Sequence, residues 1–244
     1  MPNKKKRRIQ HENCPHCGKR VRQLDSRKRF EHIQHCSTPQ PQHTSFFHSF
    51  SVPAVIDYTP NSHIWSYCIP QDFNIAPHIP EYSGSVLSLA LCKRKIRTYA
   101  RLGDWVVATL STTIHGPHNY VRHIFRITKI LSIHDYYTQY DNGQRRDQIY
   151  HIVGGVLKHK NNTKIHNEKD KKKLQEKDLN PHARVLLSNQ YCAIDYTISP
   201  VIDLPLSYFK KGEGEKKKPL TVRQQKILHK FMLSQSEKPI CNET

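Results

Sequence analysis

The sequence contains few acidic residues for its length, and it contains no long apolar run. Among 244 residues, 20 Asp and Glu stand against 39 Lys and Arg, which gives a formal net charge of +19. A positive excess of this size indicates a polyanionic partner such as nucleic acid. The longest apolar stretch, residues 85–92, is much shorter than the ~18 residues of a membrane-spanning helix, so we expect no contact with a membrane.

Several motifs of known chemistry are also missing. The chain begins with a cluster of Lys and Arg residues and has no apolar secretory leader, which predicts an intracellular protein of the cytoplasm or nucleoid, or of a eukaryotic nucleus. No P-loop, no glycine-rich dinucleotide turn and no His-x-Glu deaminase signature occurs. No sequence motif therefore indicates catalysis. Five residues are candidates for an acid, a base or a nucleophile: Asp72, Cys92, Asp104, His123 and Asp147.

The positive charge is concentrated in three segments. Residues 1–36, 158–177 and 210–230 contain the whole excess, and the rest of the chain has equal numbers of bases and acids. Basic side chains release condensed counterions when they contact a phosphate backbone, so binding through these segments should depend strongly on salt and little on sequence. Solvated segments whose charge only maintains solubility are the alternative.

Four residues near the amino terminus have the spacing of a zinc site. Cys14, Cys17, His32 and Cys36 form a C-x2-C-x14-H-x3-C pattern, which predicts a C2HC zinc finger. The Zn²⁺ would be structural, because a filled four-ligand site leaves no open position for a substrate. A finger that binds a protein is one alternative, and a finger that contacts phosphate groups is the other. Its expected phosphate contacts are Arg27, Lys28 and Arg29.

Composition divides the chain into four parts. A basic tail and the finger occupy residues 1–36. Residues 37–62 contain four prolines and a single charged residue, Asp57, which is typical of a linker or of an extended surface segment. The main domain is predicted at residues 63–209, and a basic tail with a short helix at residues 210–244.

Strand patterns outnumber helix patterns in the main domain. Strands are predicted at 63–69, 85–92, 105–110, 121–131, 183–188 and 191–198, and short helices at 93–101 and 221–232. Thr221 and Gln224 have the spacing of a capping box at the start of the second helix. Because only one short helix separates adjacent strands, we expect an α+β fold built as a small, mostly antiparallel β-barrel.

One part of the main domain resembles a known family. The core motif of the nucleotide-modification-associated domain 2 family is similar to residues 89–97, which read Leu-Ala-Leu-Cys-Lys-Arg-Lys-Ile-Arg and precede Ala100 and Gly103-Asp104-Trp105. Arg94 replaces a proline of that motif. The resemblance extends over residues 63–205 and implies work on or near modified nucleobases, since the family occurs beside base-modifying enzymes in phage and bacterial gene clusters. The order of helix, Gly-Asp and strand also resembles PUA-like barrels, which accept an extruded base.

The resemblance and the charge pattern together suggest the residues of a site. The expected phosphate contacts of the main domain are Lys93, Lys95, Arg97 and Arg101, with a solvated helix face as the alternative. A base pocket is expected from Trp65, Tyr67, Phe73, Asp104 and Trp105, with core packing or turn formation as the alternative.

These observations predict a nucleic-acid-binding protein, with DNA as the favoured partner, that recognises or helps to process a modified base. It would act together with base-modification enzymes. Two other functions remain open: a nucleotide- or base-modifying enzyme that uses the same pocket, and an adaptor whose zinc finger binds a protein.

Overall fold

The structure is a computed structural model that describes residues 50–69, 77–80, 85–110, 121–140, 145, 147–160, 178–179, 182–194, 202–210 and 214–236. The predicted zinc ligands Cys14, Cys17, His32 and Cys36 lie outside these residues. The same is true of Arg27, Lys28, Arg29 and Phe73.

Strands dominate the described residues. They are β1 (Phe50–Ser51), β2 (His63–Ile69), β3 (Leu87–Leu89), β4 (Trp105–Leu110), β5 (Val121–Arg126), β6 (Lys129–Ser132), β7 (Tyr150–Val153), β8 (Val156–His159), β9 (Arg184–Ser188), β10 (Gln190–Ala193) and β11 (Glu215–Pro219). The helices are α1 (Arg94–Tyr99), α2 (Ile133–Tyr140) and α3 (Val222–Ser236), and a 3-10 turn spans Leu206–Tyr208. None of these helices has the length and apolar character needed to cross a membrane.

The strands form three sheets with mostly antiparallel pairs. The largest sheet has the order β1-β10-β5-β4-β2-β11, a smaller one has the order β3-β9-β6, and β7 pairs with β8. Among the described strands only β2 and β4 run parallel to each other. The chain changes sheet between β5 and β6 and again between β9 and β10. The fold is therefore mixed α+β, and the expected closed barrel is not observed in the described strands, because β1 and β11 lie at opposite edges of the largest sheet.

Strand alternation divides the buried side chains into three layers. Ile64 and its neighbours pack between the outer face of the six-stranded sheet and Leu228 of α3. On the inner face, Phe125 packs towards Leu186 of the three-stranded sheet and towards helix α1. Leu187 points the other way and packs with helix α2. Each fully buried Leu, Ile or Phe stabilises the fold by about 1.5–3 kcal/mol, so the layers hold the six-stranded sheet from both sides.

Several local predictions are confirmed. Strands β2 and β4 have the predicted bounds, whereas the run predicted at 121–131 is divided into β5 and β6, because the chain changes sheet there. The capping box is also present: the Gln224 N–H donates to Oγ1 of Thr221 at 3.3 Å, and the Thr221 N–H donates to Oε1 of Gln224 at 2.8 Å.

The segments predicted as a linker and a basic tail contribute to the fold. Strand β1 pairs with β10, and β11 pairs with β2. Buried side chains of α3, Leu228 and Met232, pack in the outer cluster. Charge and proline content failed to reveal this, because β11 turns its lysines to solvent at a sheet edge and α3 is amphipathic.

Candidate functional site

The turn between β3 and α1 has a strained backbone. Cys92 and Lys93 both have positive φ, 54° and 37°, and this left-handed conformation costs a non-glycine residue about 1–3 kcal/mol. The carboxylate of Asp178 accepts a hydrogen bond from the Cys92 N–H at 3.3 Å, and Nη1 of Arg97 donates to the Cys92 carbonyl at 3.4 Å. These contacts hold the turn and thereby fix the position from which Lys93 extends.

The side chain of Arg97 is buried and makes an ion pair and several hydrogen bonds inside the fold. Its side chain is 1% exposed, and its Nη1 lies 2.8 Å from Oδ1 of Asp178. Its Nε donates to the Arg184 carbonyl at 2.8 Å, and its Nη2 donates to the Asp178 carbonyl at 3.2 Å. Burial lowers the pKa of Arg97, and the charge of Asp178 opposes that shift. We expected Arg97 on a phosphate-binding surface, but this face of α1 packs against β9, so its guanidinium points inward.

Five residues form a row across five adjacent strands of the six-stranded sheet. Counted from the β11 edge through β2, β4 and β5 to β10, the strand register aligns Glu215, Tyr67, Ala108, His123 and Ala193. Register partners project from the same face of a sheet, and here it is the inner face, because Tyr67 and Ala108 pack in the inner cluster. We call these five residues the polar row.

The two rings of the polar row lean towards each other. Their strands are two places apart, a distance of about 10 Å, yet the ring centroids of Tyr67 and His123 are 6.5 Å apart. Ala108 lies between them and has only a methyl side chain, which leaves room for this approach. The β4–β5 register also shifts here, since Ala108 pairs with His123 and Thr109 pairs with Val121. Such bulges redirect side chains and are frequent next to functional sites.

Lys93 covers one end of the polar row. Its Nζ lies 4.4 Å from the centroid of the Tyr67 ring, a cation–π contact. Burial lowers the pKa of Lys93, and the nearby Cys92, Glu215 and Cys68 oppose this shift. The ammonium is therefore half-buried between an aromatic face and a carboxylate.

His123 is the buried polar side chain of the row that most clearly lacks a partner. It is 2% exposed, and neither ring nitrogen makes a hydrogen bond of normal geometry with any described residue. Burial, together with the charges of Arg122 and Lys93, holds the pKa of His123 well below 6.5, so the ring is neutral at pH 7. A neutral imidazole offers one donor and one acceptor. An unmade hydrogen bond in a buried position costs about 1–3 kcal/mol, which makes His123 a candidate site residue.

The two tryptophans predicted for a base pocket have other roles. Trp65 lies on the inner face, but its Nε1 donates to Asp104 at 3.0 Å and the Nζ of Lys217 lies 5.2 Å from its ring centroid. Trp105 points to the opposite face and packs in the outer cluster. Of the predicted pocket residues within the described part of the chain, only Tyr67 belongs to the polar row.

Asp104 and Gly103 fix the turn that begins β4. The carboxylate of Asp104 accepts hydrogen bonds from the backbone N–H groups of His63 at 2.8 Å and Arg101 at 3.0 Å. Gly103 has a φ of 82°, and a Cβ at this position would lie 2.6 Å from Oγ1 of Thr59. The Gly-Asp pair therefore holds the turn, and Asp104 is only 2% exposed.

Exposed lysines border the polar row at its β11 end. The backbone N–H of Lys95 is hydrogen-bonded to Glu215, and burial raises the pKa of that carboxyl while Lys93 and Lys95 lower it. Lys217 follows two residues later in β11 and projects from the same face. We call Lys95 and Lys217 the basic rim. Within the described part of the chain, no group of three or more His, Cys, Asp or Glu side chains could hold a metal ion.

A comparison with protein families now identifies the domain. A family model described as "Nucleotide modification associated domain 2" matches residues 61–242, about three quarters of the chain. The chain belongs to this family. The matched range contains the strained turn, the whole polar row and Asp178, as well as β11 and α3. No curated protein and no solved structure matches the chain.

Sequence reasoning found only part of this candidate site in the Nucleotide modification associated domain 2 chain. It selected Lys93 and Tyr67, which the structure brings together, and Lys95, which lies beside them. It treated His123 as one of several acid or base candidates, although a lone His between Val121 and Phe125 in a buried strand was a usable signal. Glu215 was missed because it precedes a run of lysines that suggested a tail.

Proposed function

We propose that the domain binds nucleic acid, DNA in the first place, and holds one modified base against Lys93, Tyr67 and His123. The observation that carries this proposal is the buried His123, whose two ring nitrogens have no normal hydrogen-bond partner among the described residues. Its neutral ring offers a donor and an acceptor to the edge of a base. The family's link to nucleotide modification supports a base as the ligand.

The neighbouring groups are suited to the rest of a nucleotide. The ring of Tyr67, which is 0% exposed beside Lys93, would provide an aromatic contact, and Lys93 would provide a cation for a carbonyl oxygen or a phosphate. The basic rim, Lys95 and Lys217, extends this positive surface to solvent, and Arg101 is exposed at the end of α1. A base would leave its stack to reach the row, as bases do in other proteins that inspect them.

The amino-terminal segment would add a second contact. We propose that Cys14, Cys17, His32 and Cys36 bind a structural Zn²⁺ and that the finger presents Arg27, Lys28 and Arg29 to the DNA backbone. This contact would be sensitive to salt and insensitive to base modification. Base-modification enzymes are the proposed protein partners, because the recognised base must be made by such an enzyme.

The proposal is tested by titrating the full-length chain with short duplexes that differ at one base: unmodified, methylated, hydroxymethylated or formylated. Fluorescence anisotropy at several salt concentrations separates base recognition from charge. Lys93→Ala and His123→Ala should abolish the preference for the modified duplex. Lys158→Ala is the matched control, because it removes the same charge from an exposed position in β8.

Phosphate contact and base recognition are distinguished by two measured quantities, the salt dependence of the affinity and the ratio of the affinities for modified and unmodified duplexes. Lys93→Ala and Lys158→Ala should each reduce the salt slope by about one unit if each lysine neutralises one phosphate. Only Lys93→Ala should also change the ratio of affinities for modified and unmodified duplexes. Equal ratios in the two variants and the parent chain would refute base recognition at this row. No affinity at low salt would favour the adaptor function instead.

A further inference from the structure

The position of Lys93 suits covalent chemistry as well as binding. Its backbone is held in the left-handed turn by contacts of Cys92, Arg97 and Asp178, so the conformation of the turn does not depend on the ammonium of Lys93. The amine is half-buried above Tyr67 and close enough to His123 for their charges to interact. A half-buried amine and a buried neutral imidazole thus lie near the same tyrosine ring.

We infer that Lys93 captures an aldehyde-bearing nucleobase as a reversible imine. This inference rests on the function proposed above, because the base must first reach the polar row. A formyl group is the substituent of choice, since a primary amine attacks an aldehyde without an activated leaving group, a metal or a cofactor.

The environment of Lys93 makes loss of its proton easier than at an exposed lysine. Its Nζ lies over the ring of Tyr67 on β2, and it interacts electrostatically with Cys92 on the same turn, Cys68 on β2, His123 on β5 and Glu215 on β11. Burial lowers the pKa of Lys93 in spite of the attraction of Glu215. Lys158, which is exposed in β8, has no comparable burial, so its amine is the reference for the reactivity of Lys93.

Cys92 is the competing nucleophile at the same turn. Burial raises the pKa of its thiol, and the charge of Asp178 raises it further. The thiolate is the nucleophilic form of cysteine, so Cys92 remains protonated and unreactive at pH 7. The amine of Lys93 is the stronger candidate for attack on a carbonyl carbon.

The chemical step balances without an added reagent. The neutral amine attacks the formyl carbon, a C–N bond forms, and the carbonyl oxygen takes up a proton to give a carbinolamine. The nitrogen then loses its second hydrogen as the hydroxyl group leaves as water, which produces the imine. Neutral His123 can accept the proton from nitrogen and return it to the departing oxygen. Addition of water reverses the sequence and releases the base.

Reductive trapping tests this inference with the full-length chain. The protein is incubated with duplexes that contain formylcytosine, hydroxymethylcytosine or cytosine at one position, and cyanoborohydride is added. We expect a stable adduct only with formylcytosine, and peptide mass spectrometry should assign it to Lys93. Lys93→Arg keeps the charge but cannot form an imine, so it should lose the adduct. Lys158→Arg, at an exposed position in β8, is the matched control and should retain it.

Binding is measured on the same samples by anisotropy, which separates the two proposals. Formylcytosine binding without any trapped adduct would overturn the imine and leave base recognition intact. Adducts spread over exposed lysines, or an unchanged yield in Lys93→Arg, would also overturn it. Absence of binding to every duplex would overturn both. Peptide mass spectrometry of the adduct formed by the parent chain identifies the reacting lysine even if Lys93→Arg folds poorly.

Discussion

Replacement of Asp178 by Asn should strongly destabilise the domain. Asp178 and Arg97 form a buried ion pair, with side chains that are almost fully excluded from solvent and a separation of 2.8 Å between Nη1 and Oδ1. The Asn side chain keeps the shape of Asp178 but removes its charge, so the Arg97 guanidinium would remain buried and uncompensated. Breaking one side of such a pair costs about 3–5 kcal/mol.

That loss is a large share of the total stability. A domain of this kind has about 5–15 kcal/mol of unfolding free energy, so Asp178→Asn should shift the urea midpoint far down while the m-value stays similar. The two tryptophans, Trp65 and Trp105, are buried and should report the transition by fluorescence. Asp203→Asn is the control, because Asp203 is exposed and its charge should matter little.

A double variant tests whether the loss comes from the unpaired charge. Arg97→Met combined with Asp178→Leu removes both charges and should be clearly more stable than Asp178→Asn, since apolar replacements of a whole buried pair are often neutral. The reasoning fails if Asp178→Asn stays within about 1 kcal/mol of the parent protein, which is the range of an exposed pair. The reasoning also fails if the double variant loses as much free energy of unfolding as the two single variants lose together.

Three further predictions concern other parts of the chain. Gly103→Ala should lower the free energy of unfolding by about 1–3 kcal/mol, because its φ is positive and its new Cβ would meet Thr59; a chemical denaturation curve identical to that of the parent would contradict this. Below pH 6.5 the unfolded chain binds a proton at His123 that the folded chain excludes, so the free energy of unfolding should fall as the pH drops below 6.5. His123→Gln should flatten that part of the stability profile, and a profile unchanged by the substitution would argue against a buried neutral ring. Cys36→Ser should abolish bound zinc in metal analysis and leave the thermal transition of residues 63–205 in place, whereas a shifted transition would mean that the finger and the main domain are not separate.

Local patterns predicted the elements well where a short apolar run or a capping motif marks them. Strand-like runs gave the bounds of β2 and β4, and Thr221 with Gln224 marked the start of α3. The same kind of local pattern gave a wrong prediction for the position of Arg97 in α1. A predicted helix with five basic residues at 93–101 suggested a solvated or phosphate-binding face. Arg97 instead finds its partner in Asp178, 81 residues later in the chain, and no local pattern reports such a distance.

The polar row was even less accessible to sequence reasoning. Tyr67, His123 and Glu215 come from three strands that are far apart in sequence, and a shift of any register by one residue would send one of them to the other face. The parallel pairing of β2 with β4 sets one of these registers. The motif pointed to the correct turn, because its residues are contiguous, while the residues opposite that turn depend on the pairing of whole strands.

The turn depends on backbone contacts of the motif, whereas the polar row depends on the side chain of Lys93. Substitutions can therefore separate the effects on stability from the effects on base binding. The backbone of Lys93 is fixed from both sides: the Arg97 N–H donates to its carbonyl at 3.0 Å, and Asp178 binds the N–H of Cys92. Loss of the Lys93 amine should therefore impair base binding with little change in the free energy of unfolding. Asp178→Asn releases the turn itself, so it should reduce stability and base binding together. If Lys93→Ala instead destabilised the domain as much as Asp178→Asn, the amine would be a structural group, and its contact with Tyr67 would belong to the core.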